Sequence, residues 1–208
     1  MTTRFPVYIG FDRREPEATK VARASLCAES TVPLEVVDLK EEELRSRGIY
    51  DRPFRTEGHQ RIDVRDGKPF STDFSFTRFL VPALQGFKDW AMFCDGDFLF
   101  RWDVKDLFAL ADNSKAIMCV KHDHRPPETM KMDGQRQERY RRKNWSSLIL
   151  WNCGHPANAA ITAQTVNHQP GPFLHGFGWL DDDLIGALPE SWNWLEGWSS
   201  PDITPKVV

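Results

Sequence analysis

The sequence predicts an α/β domain in which a parallel sheet carries helices on its faces. Three observations predict it. Phe5–Gly10 reads as a strand, Glu15–Ala28 as a helix and Leu34–Leu39 as a second strand, and a β-α-β opening of this kind argues for parallel strands. Apolar runs of strand character recur at Trp90–Phe100, Lys115–Lys121 and Ser146–Trp151. The length, 208 residues, suffices for one sizeable α/β domain and is short for two.

The elements follow in order. Pro16 falls in the first turn of the first helix, where its missing N–H is tolerated, and Ala18, Val21, Ala22, Ser25 and Leu26 recur at helical spacing. A charged helix is expected from about Lys40. Residues 47–70 are polar and carry Gly48, Gly58, Gly67, Pro53 and Pro69, so a long loop is expected there, of the kind that often serves as a binding element or lid. Ser71, Thr72 and Asp73 are N-cap candidates for a helix that sets Phe76, Phe79, Leu80 and Leu84 on one face and is kinked or ended by Pro82. Asp103 or Asp106 opens a short helix through Leu110. A polar, basic, irregular stretch runs to Lys143, a helix is expected over Ala157–Val166, and the tail from Pro170 is rich in Pro, Gly and Trp.

Composition removes several function classes. With 40% hydrophobic and 27% charged residues the chain is an ordinary globular one. Its net charge of −3 offers no basic field for nucleic acid. No apolar stretch approaches the roughly 20 residues of a membrane span, and the N-terminus is too short and strand-like for a signal peptide. Cys27, Cys94, Cys119 and Cys153 are scattered; they read as reduced thiols in a cytoplasmic protein. Of eight tryptophans, four fall between Trp179 and Trp198. Core packing explains them better than sugar-stacking platforms, because large aromatics dominate cores.

The candidate chemistry begins at Asp95-Gly96-Asp97, where the run from Trp90 ends. Two acids at a strand's end can share one hard cation, which can in turn hold a diphosphate. They can equally be solvated loop acids. The preceding apolar strand favours the site, since open α/β sheets bind ligands at the carboxyl ends of their strands. Asp97 is the better direct metal ligand, with Asp95 reaching the metal through water or binding the ribose. Arg78, on an apolar helix, is either a snorkelling surface residue or an anion ligand suited to a diphosphate. Asn144, Ser146 and Asn152 flank a strand and could bond sugar hydroxyls or serve as turn residues. Asp181, Asp182 and Asp183 fit a helix N-terminus or a carboxylate facing a donor's anomeric carbon. His122 and His124 form a His-x-His without a third ligand nearby.

Taken in order, these strings resemble the small GT-A glycosyltransferases related to glycogenin and to the lipooligosaccharide galactosyltransferases. They are Ile9-Gly10-Phe11-Asp12, Phe76-Thr-Arg78-Phe-Leu-Val-Pro82, Phe93-Cys-Asp95-Gly-Asp97, Lys143-Asn144-Trp-Ser-Ser-Leu-Ile-Leu-Trp-Asn152, Trp179-Leu-Asp181-Asp182-Asp183-Leu-Ile-Gly186 and Leu188-Pro-Glu-Ser-Trp-Asn193. The likeness is greatest to a bacterial and viral subgroup that carries the strings Lys131-Met-Asp-Gly-Gln135 and Lys143-Asn-Trp-Ser-Ser147. The resemblance covers nearly the whole chain. It implies one Rossmann-like GT-A domain over residues 1–208 with a mixed, mostly parallel central sheet, its nucleotide part at about 1–100 and its acceptor part at about 101–208. It implies a retaining enzyme that moves a sugar from a nucleoside-diphosphate donor, most often UDP, to a glycan or other acceptor. Ile9, Gly10, Phe11 and Asp12 would cradle base and ribose, Arg78 the diphosphate or sugar, and Asn144 or Asn152 the donor sugar. Asp95 and Asp97 would hold Mn²⁺ or Mg²⁺. Asp181 to Asp183 stand where relatives carry Asp-Gln-Asp near the reacting carbon, with Asp182 in place of glutamine. Relatives add a third metal ligand, a histidine from a His-Phe/Tyr-Thr string, which would be expected just beyond Val208, so a missing C-terminal segment is expected.

Two other classes compete. An Asp-x-Asp after an apolar strand also opens haloacid-dehalogenase-type phosphohydrolases, although there the strand is near the N-terminus and Thr or Val follows, where this chain has Phe98. A non-catalytic carbohydrate-binding module would use the Trp-rich tail. Sugar-nucleotide pyrophosphorylases need a glycine-rich basic loop after the first strand, and Gly10-Phe-Asp-Arg-Arg14 lacks the glycines.

Overall fold

Alternation along the strands decides the architecture. In the computed structural model, which describes residues 4–123, 142 and 144–208, strand β1 (Phe5–Gly10) sends Val7 and Ile9 to one face of a sheet and Tyr8 to the other. Helix α1 (Pro16–Glu29) follows, then β2 (Leu34–Leu39) and α2 (Glu41–Ser46). A small hairpin, β3 (Phe54–Glu57) and β4 (Gln60–Asp63), stands apart as its own two-stranded sheet. A 3₁₀ turn at Thr77–Leu80 runs into α3 (Val81–Leu84) and then β5 (Trp90–Cys94). The remainder is α4 (Val104–Phe108), β6 (Ile117–Cys119), β7 (Leu148–Asn152), α5 (Ala163–His168), α6 (Gly171–His175) and β8 (Ile185–Ala187).

The six-stranded sheet has the order β2-β1-β5-β7-β6-β8, with β7 antiparallel to both its neighbours and the other pairs parallel. The mostly parallel α/β class read from the sequence is therefore the one observed. Because strand side chains alternate faces, the core divides in two. Val7, Ile9, Met92, Cys94, Leu148 and Leu150 pack beneath Ala22 and Leu26 of α1 and Val104 and Leu107 of α4. Tyr8, Ala91, Phe93, Ile149 and Trp151 pack on the other face with Phe79, Val81, Val166, Leu174 and Phe177. Three of the four cysteines are buried and all four are free thiols. Among the described residues no helix is long and apolar enough to cross a membrane.

Several expectations change. The buried face of α1 is Thr19, Ala22 and Leu26, and Val21 is 53% exposed. Thr19 is drawn inward by the Gly10 carbonyl, 3.4 Å from its Oγ1. Residues 47–70 are not all loop. The hairpin turns at Gly58-His59, with Gly58 at φ +60, a conformation glycine adopts without steric cost. The helix expected from Ser71 is a 3₁₀ turn and one α turn, since Pro82 has no N–H and its ring opposes the carbonyl of the preceding turn. The helix expected over 157–166 is divided: Asn158 turns its side-chain amide to the Ala116 and Asn152 carbonyls at 2.7 and 2.8 Å, and Thr162 caps a new helix by accepting from the Thr165 amide. The tail contributes β8, where Gly186 lets the strand meet Met118, whose Cγ would lie 2.7 Å from an added Cβ.

The hairpin is anchored by charge. Arg52, wholly buried, forms a two-pronged pair with Asp63 at 3.0 and 2.6 Å and donates to the carbonyls of Val166 and Gln169 at 2.8 and 2.7 Å. Its guanidinium also lies 3.8 Å from the centre of the Phe76 ring. Removing one partner of such a pair strands a buried charge, at a cost of about 3–5 kcal/mol. Asp63→Ala should therefore lower unfolding free energy by about that amount in urea denaturation, whereas a loss within experimental error would show that the pair anchors nothing.

Candidate functional site

The site is built where β1 and β5 end side by side. Ile9 stands level with Cys94 in the parallel register, so Gly10 and Asp95 are the next residues out. The approach is closer than side chains allow. A Cβ on Gly96 would lie 2.2 Å from the Gly10 carbonyl oxygen and 2.9 Å from Thr19 Oγ1, and one on Gly10 would lie 2.5 Å from the Phe74 ring. The central residue of Asp95-Gly96-Asp97 is thus a packing requirement. The Asp95 amide donates to the Ser147 carbonyl at 2.9 Å, which continues the β5–β7 pairing and fixes the first acid. Asp97 is exposed.

Arg78 settles between its two readings: it is 5% exposed and aimed inward. Nη1 donates to the Ser146 carbonyl at 2.8 Å, and Nε to the Phe74 carbonyl at 3.4 Å. The guanidinium carbon lies 5.2 and 5.1 Å from the Phe74 and Phe93 rings. Nη1 also stands 2.8 Å from Asp95 Oδ1, an ion pair without the alignment of a hydrogen bond. Burial raises the Asp95 carboxyl, the Arg78 charge and contact lower it, and the Asp97 charge raises it again, leaving it pushed up to about 7. Beside it, burial pushes the Cys94 thiol well up, which keeps it an inert core residue.

At the end of β1, Asp12 is 5% exposed and already bonded. Arg14 reaches it through its amide, Nε and Nη2 at 2.9, 3.0 and 2.6 Å, and the Asp73 amide at 3.3 Å. Burial would raise this carboxyl, but the bonds from Arg14 and Asp73 and the Arg14 charge hold it below its ordinary value.

A turn ahead of β7 forms the opposite wall. Asn144 sits at φ +63, in the left-handed region that asparagine tolerates better than most residues, and its carbonyl accepts from Ser147 Oγ at 2.9 Å. Ser146 Oγ lies 3.1 Å from His175 Nδ1. Arg142 ties this wall to the acidic triplet by pairing with Asp182 while Nη1 bonds the Gly176 and Phe177 carbonyls at 2.5 and 3.1 Å. Asp181, Asp182 and Asp183 are all exposed around a short 3₁₀ turn, with the Asp183 carbonyl accepting from Lys115 Nζ at 2.9 Å.

The structure thus brings together Ile9, Gly10, Phe11, Asp12, Arg78, Asp95, Asp97 and the Asn144 turn, with the Asp181–Asp183 segment joined through Arg142. It sets Asn152 apart. That residue pairs with Trp90 at the far end of β7, while Leu148 pairs with Cys94 next to the acids. Asn152 Nδ2 is spent on the Lys115 carbonyl at 3.0 Å. Asn152 is therefore a sheet-end residue rather than a donor ligand. Lys131–Gln135 and His124 lie outside the described residues.

No group of three or more His, Cys, Asp or Glu side chains among the described residues converges on a metal position. Two carboxylates completed by diphosphate oxygens still form a set of hard oxygen donors that suits Mn²⁺ or Mg²⁺. The exposed Asp97 and the partly exposed Asp95, whose Oδ1 lacks an aligned hydrogen bond, fit that requirement. The C-terminal residues Lys206–Val208 run antiparallel to Leu99–Arg101, with Val208 and Leu99 exchanging bonds of 2.8 and 3.1 Å, two residues beyond Asp97.

Comparison with known proteins places the chain. No protein-family model matches it. Protein CDI of Arabidopsis thaliana is 44% identical over 209 residues, covering 98% of this chain and 76% of that protein. The chain belongs to the family of Protein CDI. Among solved structures, the CDI-family chain is similar to the glycosyltransferase GlyE of Streptococcus pneumoniae TIGR4 (17% identity, TM-score 0.53) and to the bifunctional glycosyltransferase WbbM (12% identity, TM-score 0.59). It aligns over 92% of its own length with both but spans 46% of GlyE and 40% of WbbM, less than half of each. The shared architecture is the GT-A fold.

In this CDI-family chain sequence reasoning missed residues that brace the site, Arg142 and Asn193 among them. Asn193, 2% exposed, donates from Nδ2 to Ser147 Oγ at 2.8 Å and so braces the residue whose carbonyl holds Asp95. Its signal was its place at the end of Leu188-Pro-Glu-Ser-Trp-Asn193, to which no role could be attached. Trp151 and Trp192 are core, and the Trp179 ring stacks near Trp151 at 6.3 Å, whereas Trp198 is 52% exposed.

Two outcomes follow from this packing. Gly96→Ala forces the Gly10 strand end away and should cost about 1–3 kcal/mol, the usual scale of overpacking, read as a fall in melting temperature; unchanged melting would show that the contact relaxes freely. His175 gives a pH dependence. Burial, aided by the Arg78 and Arg52 charges, depresses its pKa to about 3, so the folded chain holds it neutral while the unfolded chain protonates it near 6.5. Stability from this source is full above pH 6.5 and is lost as pH falls towards 3. In urea titrations between pH 7 and 4, His175→Gln should lose less stability than the native chain, and parallel losses would exclude His175 as the cause.

Proposed function

We propose that this protein is a metal-dependent glycosyltransferase that takes its sugar from a nucleoside diphosphate, with UDP the expected carrier. The observation that carries the reading is the pair Asp95 and Asp97 at the carboxyl end of β5, locked against the end of β1 through Gly10 and Gly96. Support comes from the GT-A fold and from its place at the strand ends where open α/β sheets bind ligands. Asp95 and Asp97 would hold Mn²⁺ or Mg²⁺, which when bound supplies positive charge against the leaving diphosphate.

The chain's own residues do the rest. Arg78 fixes the Asp95 carboxylate, balances its charge and places a guanidinium beside the diphosphate position. Asp12, held by Arg14 and the Asp73 amide, fixes the end of β1 beside which base and ribose would lie. The turn at Asn144 forms the wall facing the donor sugar. The Asp181–Asp183 segment, with Asp182 held by Arg142, faces the reacting carbon in a retaining transfer to a glycan or other sugar acceptor. The donor half corresponds to about residues 1–100 and the acceptor half to about 101–208. No specific observation favours a phosphohydrolase or a binding module: β5 lies mid-chain, and the tryptophans near the site are largely packing residues.

Asp97 is exposed, so its removal leaves the core intact. Asp97→Ala should weaken UDP binding in the presence of Mn²⁺ by at least about tenfold, the lower end of what even outer-shell changes cost at metal sites. Calorimetry checks this, and an unchanged affinity in the mutant removes the metal assignment. A thermal-shift panel of nucleotide sugars with and without Mn²⁺ identifies the donor.

A further inference from the structure

The turn at Asn144 and the acidic turn at Asp181–Asp183 stand on different segments, and one guanidinium joins them. Arg142 opens the Asn144 turn, which closes where the Trp145 amide donates to the Arg142 carbonyl at 3.3 Å. Its side chain, 8% exposed, reaches away from that turn. Nη1 donates to the Gly176 and Phe177 carbonyls at 2.5 and 3.1 Å, and Nη2 pairs with the Asp182 carboxylate, which is 60% exposed. The guanidinium carbon lies 5.9 Å from the centre of the Trp145 ring. An ion pair between two exposed side chains holds little in place. Here the cation is buried, and a planar fork with two further carbonyl partners is fixed in orientation.

This arrangement is kept at a local cost. Five non-glycine residues have positive φ among the described residues; Arg142, Asn144 and Phe177, at φ +64, +63 and +48, are three of them. The Arg142 Nε is buried with no hydrogen-bond partner among the described residues. Left-handed backbone and an unmet buried donor each oppose folding, and they persist where the surroundings over-determine them. The acidic turn is also held from its other side, where Lys115 Nζ donates to the Asp183 carbonyl and the Ala116 amide to the Leu184 carbonyl, both at 2.9 Å. In a 3₁₀ turn successive side chains point about 120° apart, with three residues per turn. When Asp182 turns to Arg142, its neighbour Asp183 therefore cannot.

We propose that Arg142 is the positioning residue that sets the acidic turn against the donor-sugar wall, with Asp182 as its anchor rather than as the carboxylate at the reacting carbon. This rests on the donor reading above and divides the acidic triplet. Asp182 commits its carboxylate to Arg142, which leaves Asp181 and Asp183 as the acids available to the sugar.

The test separates holding from chemistry. Release of nucleoside diphosphate from UDP-glucose, UDP-galactose, UDP-xylose and GDP-mannose is measured with Mn²⁺ and with water as acceptor. In that reaction the bond from the anomeric carbon to the diphosphate oxygen breaks, the hydroxyl of water joins the carbon, and its other proton leaves with the diphosphate. Binding of UDP and GDP with Mn²⁺ is measured alongside. Arg142→Met should leave diphosphate affinity unchanged and lower kcat for release by about tenfold or more, since a misplacement of about 1 Å can cost about a hundredfold. Asp182→Ala should match it, and the double variant should lose no more than either alone, as partners in one contact do. Asp182→Asn keeps an oxygen for Arg142 to bond and should lose less than Asp182→Ala. Arg142→Lys should fall between the native chain and Arg142→Met, and carries the test should the methionine variant not fold. Additive losses, no loss, or a fall in diphosphate affinity parallel to the fall in kcat overturns the role of Arg142. Asp182→Asn as inactive as Asp182→Ala overturns the anchor role and returns Asp182 to the reacting carbon. Diphosphate binding without release from any of the four donors overturns the placement of the acidic turn at that carbon. Failure to bind either diphosphate overturns the donor reading, and this inference with it.

Discussion

The contact between Gly10 and Gly96 is the constraint on which the site depends. Two strand ends approach until a single methyl group on Gly96 would come 2.2 Å from a backbone oxygen. That proximity sets the acids of Asp95-Gly96-Asp97 against Ile9–Asp12. It also places Thr19, at the start of α1, against the Gly10 carbonyl. The helix, the two central strands and the acid loop are positioned by one absence of side chain. Glycine is normally costly within ordered structure because it gives up the most backbone freedom, and here the cost secures an approach no other residue permits.

Around this contact the protein keeps charges in places where they are expensive. Arg78 is buried beside a partly buried Asp95, and Arg52 and Asp63 are buried together. A buried pair adds little net stability, since desolvation offsets most of the attraction. What it contributes is orientation: Arg52 holds the hairpin to the Val166–Gln169 region, and Arg78 joins three stretches, the 3₁₀ turn, the end of β5 and the Ser146 turn. Asp12, Asp73 and Arg61 repeat the arrangement at the other wall. Each of these residues meets its partner across a sequence distance that local preference cannot bridge.

That distinction explains what could be read in advance. Strands β1 and β2 matched their expected ranges, and β5, β6 and β7 fell within or close to theirs, because their apolar runs are continuous and bounded by turn formers. Of the two cap candidates Asp103 and Asp106 the structure uses Asp103, for a local reason: its side chain accepts the Lys105 amide two residues on. The hairpin was not, because β3 has no buried face and hence no alternation to detect. Strand β8 was not, because three residues of Ile-Gly-Ala carry almost no signal until β6 is beside them. The helix at 157–166 was misread because the side chain of Asn158 is claimed by two carbonyls from other segments.

The sequence alone determined the class of the fold, the order of its main strands and the presence of paired acids where an apolar strand runs out. Those properties depend on periodicity and near neighbours, which a linear string contains. The tertiary structure alone decided that Arg78 points inward to Asp95, that Asn152 lies at the wrong end of its strand, and that Asn193 and Arg61 brace the two walls. Those depend on strand direction and register: β7 runs antiparallel to β5, so a residue four places further along moves away from the acids rather than towards them.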